Sequence, residues 1–119
     1  MAGLINKNEV GNVGLAFYLE QYLNSIGALI EFNNFMRAVE TQNVNDVSYS
    51  FNELVDKLIS LHKTNSADDF SLAFLCGFVS GRIKRYQNDY NVKIDTSSAI
   101  AKLTENNFPD WQIIILFLL

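Results

Sequence analysis

The chain has 119 residues, of which 49% are hydrophobic and 18% charged, with a formal net charge of −4 at neutral pH. That length suits one domain able to bury about two-thirds of its unfolded surface, so neither a disulfide nor a metal staple is required. The negative balance disfavours non-specific attraction to nucleic acid or to an anionic membrane. One cysteine and one histidine put zinc ligation of the usual kind out of reach.

The acids are unevenly placed. Residues 1–56 carry seven of them (Glu9, Glu20, Glu31, Glu40, Asp46, Glu53, Asp56) against Lys7 and Arg37, whereas residues 82–93 carry Arg82, Lys84, Arg85 and Lys93 against Asp89 alone. A charged share below the usual ~25% leaves either a well-filled core or apolar surface kept for a partner or a second copy. The N-terminus lacks the pattern of a signal peptide, and there is no run of 18 apolar residues. A cytoplasmic protein without a membrane span is expected.

Residues 1–11 are polar and Gly-bearing, a loose lead-in. From Asn12, Leu15, Leu19, Tyr22, Ile26 and Leu29 recur at helical spacing, and Phe32, Phe35, Met36 and Val39 carry the pattern to about Thr41. Gly27, unfavourable inside a helix, and Ser25, a good cap, point to two segments or a kinked helix rather than one straight one. After a polar link at 42–45, Val47, Phe51, Leu54, Leu58 and Leu61 define an amphipathic helix over 46–63.

The stretch 66–90 is expected to be the central helix, opened by a capping box of Ser66 and Asp69. Leu72, Leu75, Cys76, Val79, Ile83, Tyr86 and Tyr90 line one side. Phe70, Phe74, Gly77, Phe78 and Gly81 line the other over the first three turns, so its first half is expected to be buried on both faces. Asp95 or Thr96 caps a short helix bearing Ala99, Ile100 and Leu103. The final NNFPDWQIIILFLL places Pro109 near a helix start. Its IIILFLL run fits a helix or a strand equally by period, and a short strand at 91–95 or 112–118 is the alternative. The fold expected is all-α: one domain, a bundle of five to six helices.

No nucleophile elbow, phosphate-cradling loop or H-E-x-x-H occurs. Asp68 and Asp69 fall where a helix dipole favours acids, and His62 where it favours a cation, so neither calls for metal or catalysis. The expectation is a non-enzymatic protein that needs no cofactor. Cys76, among aliphatic neighbours, reads as a core residue.

Four surfaces are left as candidates for contact. The acidic residues Glu20, Glu31 and Glu40 suit a partner with a basic face, such as the phosphate-binding surface of a nuclease or toxin. On this reading the chain is a stoichiometric neutraliser of the immunity or phage-inhibitor kind. Phe70, Phe74, Gly77, Phe78 and Gly81 form a ring-edged groove that another helix of the chain fills, or else a partner. Arg82, Lys84, Arg85 and Lys93 form a basic patch: a solvated helix end, a contact for an acidic partner or, against the net charge, a nucleic-acid contact. Trp111, Ile114, Phe117 and Leu118 belong to an apolar end that completes the core or joins a homodimer.

Overall fold

The computed structural model describes residues 13–119, all of whose regular elements are helices. They are α1 (Val13–Ser25), α2 (Leu29–Thr41), α3 (Val44–Lys63), α4 (Asp69–Tyr90), α5 (Ser97–Glu105) and α6 (Trp111–Ile114), the last running into a 3₁₀ turn at Ile115–Phe117. The lead-in at 1–11 lies outside the described residues.

Two segments, not one, occupy 13–41, and Gly27 makes the break. It adopts φ +79°, the left-handed region that glycine enters without a Cβ penalty. The Ala28 N–H then donates to the Leu23 carbonyl (2.9 Å) and the Gly27 N–H to that of Asn24 (3.1 Å), a Schellman closure with both Leu23 and Ala28 fully buried. Ser25 does not cap α2; its hydroxyl donates back to the Tyr22 carbonyl at 2.6 Å.

Asparagines end three other helices. Asn65, Asn91 and Asn107 all have positive φ. The next residue's N–H returns to a carbonyl of the last turn in each case: Ser66 to Leu61, Val92 to Gln87, Phe108 to Leu103. After glycine, asparagine is the residue that tolerates this conformation best, and Asn43 also caps α3 by accepting from the Asp46 N–H. Four of the chain's fourteen asparagines are therefore helix punctuation.

The caps differ in detail from those expected. Asp68, not Ser66, caps α4, accepting from the Ser71 N–H at 3.0 Å, while Ser66 shares a 2.6 Å hydrogen bond with Thr64. At α5 the Asp95 carboxylate receives both the N–H and the hydroxyl of Ser97. Pro109 lies ahead of α6, and Asp110, at φ 57°, precedes its first residue.

Neither alternative strand forms. The Ile94 N–H, which a ladder would need, donates instead to the Gln87 side-chain oxygen at 2.7 Å, and Ile94 is buried. The IIILFLL run is helical because Ile114 and Leu118, four residues apart, are buried together while Ile113, Leu116 and Leu119 face out. Burial on one side sets the period that composition left open.

The core is one cluster drawn from every helix, and α2 and α3 pack most extensively. Phe35 of α2 meets Phe51 of α3 at 6.1 Å between ring centroids, and Phe32 of α2 stacks on Phe78 of α4 at 6.2 Å. The bundle measures 36 × 36 × 20 Å, about two helix diameters thick. Any helix in such a slab keeps one side towards solvent. That is why α4 buries Leu72, Leu75, Cys76, Val79, Ile83 and Tyr86 but leaves Phe70 81% and Phe74 59% exposed. The expectation of burial on both faces fails at these two rings.

Candidate partner-binding site

A cleft of about 500 Å³ separates the outer sides of α2 and α3. From α2 it takes Ile30, Glu31, Asn34, Arg37, Ala38 and Thr41, at the three- and four-residue steps of one helix face. From α3 it takes Asp46, Tyr49, Ser50 and Glu53, again one face. The other faces of the same helices carry Phe35 and Phe51 into the core, so amphipathicity itself turns these residues to the cleft.

Three carboxylates and one guanidinium leave the cleft net negative. Its hydroxyls are already engaged: Ser50 donates to the Asp46 carbonyl at 2.7 Å and Thr41 to the Ala38 carbonyl at 3.0 Å. Tyr49 hydrogen-bonds Glu53 one turn on, and this bond, with the nearby negative charge, holds its hydroxyl pKa above the usual tyrosine range. The Tyr49 ring remains exposed, and one Glu31 oxygen is shielded from solvent without a hydrogen-bond partner. The groups left to meet a ligand are carboxylates, an aromatic face and the exposed Arg37, Asn34 and Ile30.

Of the three acids singled out by sequence, only Glu31 lines this cleft. Glu40, nine residues on, is turned about 180° around α2 and lines a smaller depression of about 210 Å³ with Arg82, Arg85, Tyr86, Asp89 and Tyr90. Glu20 is half-buried on α1. Asp46 and Glu53 are two of the seven N-terminal acids but were not expected at a contact surface, nor was Tyr49, although their three- and four-residue spacing on the polar side of α3 carried the signal.

The bases at the end of α4 do not form one surface. Arg82 is half-buried, Arg85 lies 3.5 Å from Asp89, and Lys84 and Lys93 are exposed. Glu40 and Asp89 beside Arg82 and Arg85 offset much of their charge locally. At the C-terminal end, Ile114 and Leu118 are core residues, Trp111 is half-buried, and Phe117 is partly exposed. Phe78 is half-buried under Phe32, whereas a Cβ built on Gly77 or Gly81 meets nothing within 4 Å among the described residues. The close packing expected there is not made among the described residues.

His62 joins three elements. Its Nδ1 lies 3.4 Å from an Asp69 oxygen, and its ring meets Phe108 edge-on at 5.7 Å. Cys76 is fully buried, and burial pushes its thiol pKa up to about 12, far from a reactive thiolate. Among the described residues no group of three or more His, Cys, Asp or Glu is placed to hold a metal ion, and no helix is long and apolar enough to cross a membrane.

Fold and site together describe a small all-α bundle with an acidic cleft, walled on one side by Tyr49, between α2 and α3. No family model matches the chain, and no curated protein or solved structure matches it.

Proposed function

We propose that this protein is a non-catalytic protein-binding module that takes a basic segment of a partner into the α2–α3 cleft, in the manner of a stoichiometric neutraliser. The observation that carries the reading is the convergence of Glu31, Asp46 and Glu53 on an exposed Tyr49 ring. Carboxylates at that spacing attract Lys or Arg, and an aromatic face adds a cation–π contact for an arginine seated between them. Charge of this kind speeds encounter and selects partners more than it adds affinity.

The partner class is a protein with a basic functional surface, of which a nuclease or toxin is one example. Affinity purification from the native host with wild type and with a Glu31→Lys/Glu53→Lys variant tests the reading, followed by titration of the recovered partner. The partner is expected to bind the variant at least tenfold more weakly, a loss of about 1.4 kcal/mol, while Glu40→Lys, on the far side of α2, leaves binding unchanged. Equal affinity for wild type and the double variant rules the cleft out.

A further inference from the structure

Phe70, Phe74, Gly77 and Gly81 follow one another at four-, three- and four-residue steps and so lie in a single row along α4. The two rings stand out from this row, 81% and 59% exposed. Among the described residues, the two glycines leave open space above the backbone. Acids, Asp68 and Asp69, sit at the start of the helix, and the bases Lys84 and Arg85 flank the end of the row. A row with knobs and acids at one end and hollows and bases at the other is complementary to itself turned end for end.

We propose that a second copy of this chain packs antiparallel against this row, Phe70 and Phe74 of each copy seating over Gly81 and Gly77 of the other. Each pair is separated by four residues, about 6 Å along the axis, so both rings meet both hollows in one register. The two-fold axis then passes between Leu75 and Cys76, and the contact is isologous and closed, giving a dimer rather than a fibre. Bare glycine backbone lets the two helices approach closely.

The charges agree with the same register. Lys84 and Arg85 of one copy come over the acidic start of α4 in the other, twice by symmetry, and the helix dipoles oppose each other. Arg85 already holds Asp89 of its own helix at 3.5 Å, so Lys84 is the cation on which the contact most depends. No α4 residue lines the α2–α3 cleft, which therefore stays open in both copies. Four rings bury an area near the lower limit for specific association, so the dimer is a weak one.

Sedimentation velocity on the full chain from about 5 to 500 μM brackets the range in which so small an interface associates. Wild type is expected to pass from monomer to dimer, more weakly at high salt. Gly81→Leu fills a hollow that no described residue enters, so it should abolish the dimer with the helical circular dichroism unchanged. Lys84→Glu should weaken the dimer at least tenfold. Register is read by mild oxidation of Phe70→Cys mixed with Gly81→Cys. A disulfide should form between the two variants and not within Phe70→Cys alone, whose thiols lie about 16 Å apart in the antiparallel pair, beyond disulfide reach. A strict monomer throughout, a dimer indifferent to Gly81→Leu, or a link between two copies of Phe70→Cys overturns the proposal.

Discussion

The Thr96 hydroxyl donates to the Leu118 carbonyl at 2.8 Å in a buried position, tying the start of α5 to the last residues of the chain. Thr96 stands at the N-cap position of α5 yet its side chain caps nothing; Asp95 takes the Ser97 N–H instead, which leaves the Thr96 hydroxyl for the long-range bond. Thr96→Val keeps the shape and removes the donor, leaving a buried carbonyl unsatisfied. A loss of about 1–3 kcal/mol is expected by urea unfolding, with Thr96→Ser, which keeps the donor, losing less than half as much. Wild-type stability in Thr96→Val would show that the bond does not hold the C-terminal turns.

Two glycines should respond to alanine in opposite directions. Gly27→Ala forces a Cβ into left-handed backbone and is expected to destabilise by about 1–2 kcal/mol. Gly77→Ala lies in ordinary helix with open space around the new methyl, and should stabilise the monomer by about 0.5–1 kcal/mol. Thermal unfolding at low protein concentration, where self-association does not contribute, measures both.

Acid should loosen the helix starts. The Asp68 carboxyl pKa is lowered, chiefly by the backbone N–H bond from Ser71, and that of Asp95 is lowered chiefly by the Ser97 hydroxyl. Each folded-state value thus lies below the unfolded one. The stabilisation is complete above the ordinary aspartate range and is lost as pH falls through the folded value. Asp68→Asn keeps an oxygen acceptor but does not titrate. Its stability should fall less steeply than that of wild type below about pH 4; parallel curves from pH 6 to 2 would remove Asp68 from the account.

The Cys76 thiol should be inert while the protein is folded. With its pKa raised to about 12 by burial, a thiol-specific reagent at pH 8 is expected to label it only at the rate of opening, and to label it at once in denaturant. Rapid labelling of the native protein would contradict the burial.

The helices were legible because amphipathic period is a local property. Val47, Phe51, Leu54, Leu58 and Leu61, read as one face, are all buried in α3. The break at Gly27 was legible for a related reason, since a glycine between two periodic runs has few other uses. The caps were less so. Ser66, Asp68 and Asp69 are all competent N-terminal residues, and only the path of the chain assigns the bond to Asp68. The cleft was readable only in part: Glu31 was singled out, but nothing local marks it as facing Tyr49 and Glu53 across a helix pair.

By itself, the sequence determined the helical class, the stripe that each helix buries and the punctuation by glycine and asparagine, because all of these depend on residues within a turn or two of one another. The tertiary structure alone decided three things. It made the terminal run helical by burying Ile114 and Leu118 on one side, it set Glu31 beside the α3 acids while turning Glu40 away, and it left Phe70 and Phe74 exposed with Gly77 and Gly81 open among the described residues. Each depends on which helix lies beside which, and in a slab about two helix diameters thick one face of α4 had to be left to solvent or to another molecule.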